Sequence, residues 1–156
     1  MIKPALLVHP PLGLFEMRLA EYDIVRWPTD RRDVRAAITI GHIGISNEMI
    51  DALPELKCII CFGVGVDGLD LAYCKARGIA VTHGRHINHE DVADVAIGLM
   101  IARLRLFTEG ERVLRSGTWT PPLAVPAQKR LRGRKLGIVG MGAIGEAVAA
   151  RAEAFG

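Results

Sequence analysis

Short apolar runs rich in β-branched residues alternate with longer stretches of helical pattern along the first 85 residues or so of the chain. The runs are ALLV (5–8), DIVRW (23–27), AAITI (36–40), CIICF (58–62) and IAVT (79–82). Continuous apolar runs of this length are typical of buried parallel strands, and the stretches between them are typical of crossover helices. The pattern therefore predicts a doubly wound α/β domain with a parallel sheet.

Local signals mark the ends of three predicted helices. Ser46 precedes NEMIDAL, and Asp70 precedes LAYCKAR, which Gly78 follows. Ser and Asp side chains accept hydrogen bonds from the free N–H groups of a first turn, and glycine favours the position just past a helix. Asn88 is predicted to cap the third helix, with Asp91 in its positively polarised first turn.

The third helix, within NHEDVADVAIGLMIARLRLF, carries apolar residues around nearly its whole circumference. A helix of this kind is buried between layers, domains or subunits. We therefore expect the residues after about Val92 to be either mobile or buried in a partner, most simply in a homodimer formed through the helix 92–107. The following segment, 115–135, contains three prolines and no sustained period, which predicts an irregular connection to a second domain.

The last 21 residues are predicted to form a strand, a glycine turn and a helix. A strand over 136–139 precedes Gly140-Met-Gly142-Ala-Ile-Gly145, and the helix-forming run EAVAARAEAF follows. In such a turn the first glycine permits a tight bend, the second lets the backbone approach a pyrophosphate, and the third lets helix pack on strand. The helix N-terminus adds free N–H groups and a positive dipole end. The order predicts dinucleotide binding, and a merely tight strand-to-helix turn is the alternative.

Charge and cysteine content indicate which partners and which cellular compartment to expect for the chain. The chain has 20 Lys+Arg against 17 Asp+Glu, and no basic tract is long enough to indicate a nucleic-acid tail. Its three cysteines, Cys58, Cys61 and Cys74, fit a reducing compartment, so we expect a cytoplasmic protein. Cys58 and Cys61 form a C-x-x-C pattern inside a predicted strand, where same-face neighbours are two residues apart, so a redox pair is not expected.

The proline-broken N-terminus predicts neither a signal peptide nor a membrane span.

Two further patterns have competing interpretations. His83, His86 and His89 recur every third residue, as metal ligands do, but they fall in a predicted loop without an acidic or cysteine ligand at zinc-like spacing. We predict no metal site there. The run KRLRGRK (129–135) is interpreted as a solvated linker rather than a nucleic-acid contact.

Four longer motifs carry a family resemblance. They are GVGVDGLDLAYCKARGIAVTHG, NHEDVADVAIGLMIARLR, RSGTW and LRGRKLGIVGMGAIGEAVAARAEAFG. In this order and spacing, the segment from Cys61 to Gly156 resembles the D-isomer-specific 2-hydroxyacid dehydrogenases, which include hydroxypyruvate/glyoxylate reductases and phosphoglycerate dehydrogenase. The resemblance implies a flavodoxin-like substrate domain (1–87), an interdomain and dimerisation helix (88–114), a linker (115–135) and the start of an incomplete NAD(P)-binding Rossmann domain (136–156).

The resemblance also implies site residues. The backbone N–H groups of Val64 and Gly65, in the GVGVD turn, would bind the substrate carboxylate; a strand-ending turn that needs positive φ is the alternative. His89 stands where family members often carry a threonine that contacts the cofactor. The implied contacts to NAD or NADP are Gly140, Gly142, Ala143, Ile144, Gly145 and His89. No catalytic residue is expected in this chain, since the family's arginine, carboxylate and histidine lie in later Rossmann strands and loops.

The expected function is part of a nicotinamide-dependent oxidoreductase that transfers a hydride between NAD(P) and a small 2-hydroxy or 2-keto acid. We expect the chain to stop within the Rossmann domain, to be inactive alone and to bind cofactor weakly or not at all. The alternative is a short, non-catalytic α/β module that binds carboxylates or oligomerises.

Overall fold

The computed structural model describes residues 3–117 and 127–156, and it contains two compact units, Met1–Ile87 and Asn88–Gly156. The first unit holds all the strands that the described residues form. Its elements are β1 (Ala5–Val8), a 3-10 helix (Gly13–Leu19), β2 (Asp23–Val25), β3 (Ala36–Ile40), α1 (Asn47–Ala52), β4 (Cys58–Phe62), α2 (Leu71–Ala76) and β5 (Ala80–His83).

The five strands form one parallel sheet in the order β2-β1-β3-β4-β5. This is the flavodoxin-like order, in which the chain reverses its direction of travel across the sheet between β1 and β3. The predicted fold class is therefore confirmed: the unit is α/β, with a doubly wound parallel sheet. In such sheets the loops at the carboxyl ends of the strands form the ligand crevice.

The main buried cluster of the first unit lies on one face of the sheet, and Leu6 and Val8 are buried on the other face. Leu7, Ala37 and Ile59 of the strands are fully buried against Ile50 of α1 and Cys74 of α2. Burial of each large aliphatic side chain contributes about 1.5–3 kcal/mol relative to exposure. Alternate residues of each strand supply this face, as the period of two requires.

The capping predictions for the first two helices are confirmed. Ser46 Oγ accepts a hydrogen bond from Met49 N at 3.2 Å, and Asp70 Oδ1 accepts one from Tyr73 N at 2.9 Å. Gly78, just past α2, has φ +67°, a conformation that glycine adopts without steric cost. These local signals fix where the crossover connections start and stop.

The second unit contains three helices, α3 (His89–Leu104), α4 (Phe107–Arg115) and α5 (Ala143–Glu153). The prediction of one helix over 88–114, including 92–107, is wrong. Leu106 has φ +53°, and a left-handed residue ends an α-helix because it redirects the backbone. Asn88 precedes α3, but its side chain makes no cap bond, since its backbone (φ −134°, ψ 10°) is not in the extended conformation of a capping residue.

Helix α3 packs on α5 within this unit. Ala93 and Ile97 of α3 are buried with Ala147 and Val148 of α5. The expectation that residues after Val92 need a partner to be buried is therefore wrong for Ala93 and Ile97, because the chain's own last helix covers them.

The predicted strand over 136–139 does not form. A strand exists only when its N–H and C=O groups pair with a neighbour, and the described part of the second unit supplies no second strand. Val139 is fully exposed as a result. Residues 118–126, in the middle of the predicted linker 115–135, lie outside the described residues.

Candidate functional site

The turn that follows β4, residues 63–67, lies at the carboxyl end of the sheet beside the residues that follow β3 and β5. Gly63 has φ +125°, so a positive φ accounts for this glycine. It does not account for Gly65, whose φ lies outside the left-handed region and whose added Cβ would meet only Asp67 Oδ2 at 3.3 Å. The requirement for a strand-ending turn therefore explains one of the two glycines.

Residues at the end of β5 donate hydrogen bonds to the carbonyl groups of this turn. Gly84 N donates to Gly63 O at 2.7 Å, and His83 Nδ1 lies 2.7 Å from Val64 O. A carbonyl oxygen carries no proton, so the imidazole nitrogen is the donor in the second hydrogen bond.

The turn also contacts the residue that follows β3, Gly41. Gly68 N donates to Gly41 O at 2.6 Å, and a Cβ on Gly41 would overlap the Gly65 carbonyl. Gly41 is therefore glycine because the two backbones touch.

The N–H groups of Val64 and Gly65 donate to no atom of residues 3–117 and 127–156. They belong to consecutive residues of the turn at the carboxyl end of the sheet. Successive backbone N–H groups in a turn can together donate to a carboxylate or another small anion.

The glycine turn before α5 has the conformation that its motif predicts. Gly140 has φ +94°, and a Cβ on Gly145 would overlap the Gly140 carbonyl, so both positions require glycine. Gly142 stands immediately before the helix with open space where a Cβ would be, and no side chain caps the helix. No side chain caps the first-turn N–H groups of Ala143, Ile144 and Gly145, and a donor set of this kind can bind a pyrophosphate.

The histidines of the sequence pattern are divided between the two units. His83 lies in the first unit on the 63–67 turn, whereas His89 begins α3 in the second, with its Nε2 3.4 Å from Glu90 Oε1. His86 accepts a hydrogen bond from Arg85 Nε at 3.1 Å. Across the part of the chain that the structure describes, no three possible metal ligands lie together.

The cysteines are all free. Cys58 is half-buried, and Cys61 and Cys74 are buried. Burial raises the pKa of the Cys61 and Cys74 thiols, which keeps both in the unreactive protonated form. Cys58 and Cys61 are three residues apart in β4 and therefore lie on opposite faces of the sheet.

Residues 23–155 match the family model of the D-isomer specific 2-hydroxyacid dehydrogenase, catalytic domain. The chain belongs to this family. Within the D-2-hydroxyacid dehydrogenases it is 38% identical over 130 residues to a glyoxylate/hydroxypyruvate reductase of Arabidopsis thaliana, a match that covers 83% of this chain and 40% of the relative. It is also 38% identical over 123 residues to a 2-ketogluconate reductase of Gluconobacter oxydans, covering 79% of this chain and 39% of the relative.

Solved structures of D-2-hydroxyacid dehydrogenases share the fold. A 2-hydroxyacid dehydrogenase from Ketogulonicigenium vulgare matches with a TM-score of 0.90 at 34% identity, over 99% of this chain and 52% of its own. An NADPH-dependent glyoxylate/hydroxypyruvate reductase from Sinorhizobium meliloti, in complex with NADP and malonate, matches with a TM-score of 0.82 at 37% identity, over 99% and 51%. The chain thus spans about 40% of the length of these curated relatives and about half of these solved chains. No described helix is long and apolar enough to span a bilayer.

Proposed function

We propose that this chain carries the substrate-carboxylate turn and the dinucleotide-phosphate turn of an NAD(P)-dependent oxidoreductase acting on small 2-hydroxy or 2-keto acids. The observation that carries the proposal is the pair of free N–H groups of Val64 and Gly65 at the carboxyl end of the sheet. Family membership supports it, because relatives are described as glyoxylate, hydroxypyruvate and 2-ketogluconate reductases. The alternative of a non-catalytic carboxylate-binding or oligomerising module is not favoured by these relationships.

The proposed role of the 63–67 turn is to bind and orient the substrate. Two N–H donors on a backbone that is already hydrogen-bonded hold a carboxylate with little reorganisation, which fixes the position of the adjacent 2-carbon. Orientation of this kind lowers the entropic part of a bimolecular barrier.

The proposed role of the glycine turn is to bind the pyrophosphate of NAD or NADP. Gly140 and Gly145 shape the turn, Gly142 lets the ligand approach the backbone, and Ala143 and Ile144 supply first-turn N–H groups. The nicotinamide of the bound cofactor supplies or accepts the hydride.

His89 is proposed to contact the same cofactor, since a ring N–H is a donor for phosphate or ribose oxygen. Its support is that α3, which it begins, packs on α5, the helix that follows the glycine turn.

We expect weak cofactor binding and no turnover from the 156-residue chain. A dinucleotide site of this type is built from two mononucleotide halves and an acid that binds the ribose, and residues 136–156 supply one turn and one helix. Calorimetric titration with NADPH and an assay with glyoxylate test this expectation. Micromolar affinity or measurable NADPH oxidation would contradict it.

A homodimer through the stretch 92–107 and a cytoplasmic location complete the proposal. Val95, Leu99 and Phe107 are 60%, 65% and 58% exposed, which is apolar surface of the kind that subunit interfaces cover. The free, unpaired cysteines are consistent with a reducing compartment.

The carboxylate site is tested by titrating the ¹⁵N-labelled chain with malonate and following the amide signals. The Val64 and Gly65 signals should shift most, and uncharged malonamide should leave them in place. Shifts confined to other residues, such as the basic run 129–135, with Val64 and Gly65 unchanged, would refute the site.

A further inference from the structure

The two free N–H groups and the two hydrogen bonds from the end of β5 belong to the same pair of peptide groups. The peptide group between Gly63 and Val64 has its carbonyl bonded to Gly84 N at 2.7 Å and its N–H, on Val64, free. The next peptide group has its carbonyl bonded to His83 Nδ1 at 2.7 Å and its N–H, on Gly65, free. Each proposed carboxylate donor therefore belongs to a peptide group whose carbonyl oxygen already accepts a hydrogen bond.

This arrangement has a direct physical consequence. A hydrogen bond accepted by the carbonyl polarises the peptide group and makes its N–H a stronger donor, because chains of hydrogen bonds strengthen one another. It also fixes the rotation of the peptide plane, so that the N–H is directed before any ligand arrives.

The hydrogen bonds to Gly63 O and Val64 O differ in whether they depend on the type of the donor residue. The bond from Gly84 uses a backbone N–H, which every residue except proline offers. The bond from His83 uses a side chain, so it depends on the residue type at this one position. The packing of Gly41 against the Gly65 carbonyl limits movement of the turn on the β3 side.

We propose that His83 is a positioning residue for the carboxylate site: its Nδ1–H holds and polarises the Val64–Gly65 peptide group and thereby strengthens the Gly65 donor. The inference rests on the proposed function of the 63–67 turn. It assigns His83 no contact with substrate and no proton transfer.

Two substitutions separate this role from a structural one. In His83→Asn, Nδ2 replaces Nδ1 as a donor at nearly the same place, whereas His83→Leu fills similar space without a donor. We expect H83L to bind malonate about threefold to tenfold more weakly, the effect of one hydrogen bond, and H83N to stay within about twofold of the native chain. Equal affinities of H83L and the native chain would overturn the proposal, as would equal losses in both variants.

A measurement on the unsubstituted chain makes the test independent of whether H83L folds. The ring ¹⁵N signals of His83, recorded at about pH 8, should show the proton on Nδ1. A proton on Nε2 with Nδ1 bare would overturn the proposal, because a bare nitrogen cannot donate to the Val64 carbonyl.

The same experiments distinguish failure of the inference from failure of the proposed function. If malonate leaves Val64 and Gly65 unshifted in the native chain, the proposed function fails. Two observations then still test whether His83 polarises the Val64–Gly65 peptide group. They are the tautomer of His83 and the difference between H83L and H83N in the Val64 carbonyl ¹³C and Gly65 amide ¹⁵N shifts. If malonate binds and H83L matches the native chain in affinity and in these shifts, only the inference fails.

Discussion

Arg151 of α5 binds Asp94 of α3, with Nε donating to Oδ1 at 2.5 Å. The same guanidinium donates through Nη2 to Glu90 Oε2 at 2.5 Å, so one cation joins two carboxylates that lie one turn apart on α3. The hydrogen bonds to Glu90 and Asp94 raise the pKa of Arg151 above its usual range. This ion pair lies next to the buried contact of Ala93 with α5.

Replacing Arg151 with leucine should destabilise the second unit at low salt. The urea midpoint followed by circular dichroism should fall, and the difference from the native chain should shrink at about 1 M salt, where the Debye length is about 3 Å. Arg115→Leu is the matched control, because Arg115 pairs with Glu111 four residues away in the same helix. A salt-independent loss for R151L, or equal losses for both variants, would argue against the ion pair as the cause.

Gly145→Ala should destabilise the glycine turn. The added Cβ would overlap the Gly140 carbonyl, and overpacking of this kind costs about 1–3 kcal/mol even though alanine favours a helix. Gly98→Ala is the control: Gly98 lies in α3 with open space around its Cα, so alanine should stabilise by roughly 0.5–1 kcal/mol. Free energies of unfolding from urea titrations compare the two. Opposite signs support the close contact, and a neutral or stabilising G145A contradicts it.

The first unit should lose stability below about pH 4. Asp51 accepts hydrogen bonds from the Tyr73 hydroxyl at 2.6 Å and from Arg77, and these bonds hold its pKa below the usual 3.8. Asp70 has a pKa below 3.8 because it accepts the capping bond from Tyr73 N. Depressed folded-state pKa values give stability that is complete above 3.8 and is lost as pH falls through the lower folded values.

The variants Asp51→Asn and Asp70→Asn check the assignment. In each variant the urea midpoint should decrease less than in the native chain between about pH 5 and pH 2, because the carboxyl group that titrates has been removed. An unchanged slope in both variants would show that other carboxyl groups govern acid unfolding.

Val95→Glu should weaken the proposed dimer. A charge on the exposed apolar side of α3 would be buried without a partner in a symmetric interface. Sedimentation velocity should show a shift from dimer to monomer, whereas Leu14→Glu, at a more exposed apolar position in the first unit, should leave the dimer intact. A monomeric native chain would contradict the proposed interface.

The sequence predicted the first unit almost element by element. The strands lie where apolar runs occur, and Ser46 and Asp70 cap their helices, because both signals act over a few neighbouring residues. The break at Leu106 carries no glycine or proline signal, since leucine adopts positive φ only when its surroundings impose it. The strand at 136–139 failed because a ladder needs a partner that a local pattern does not reveal.

The candidate site likewise has features that the sequence predicts and contacts that only the tertiary structure reveals. The glycines of both turns are visible in the sequence, and backbone geometry demands glycine at Gly63, Gly140 and Gly145. The bond from His83 to Val64 O joins residues 19 positions apart, and the contact of Arg151 with Asp94 joins residues 57 apart. Only the strand order of the sheet and the packing of α3 on α5 bring these pairs together.

A crystal structure of the chain with malonate shows directly whether the Val64 and Gly65 N–H groups bind a carboxylate. We predict a carboxylate whose oxygens accept hydrogen bonds from Val64 N and Gly65 N at about 2.7–2.9 Å, with the His83–Val64 and Gly84–Gly63 hydrogen bonds unchanged. Malonate bound elsewhere, with the two N–H groups facing only water or turned into the protein, would contradict the account.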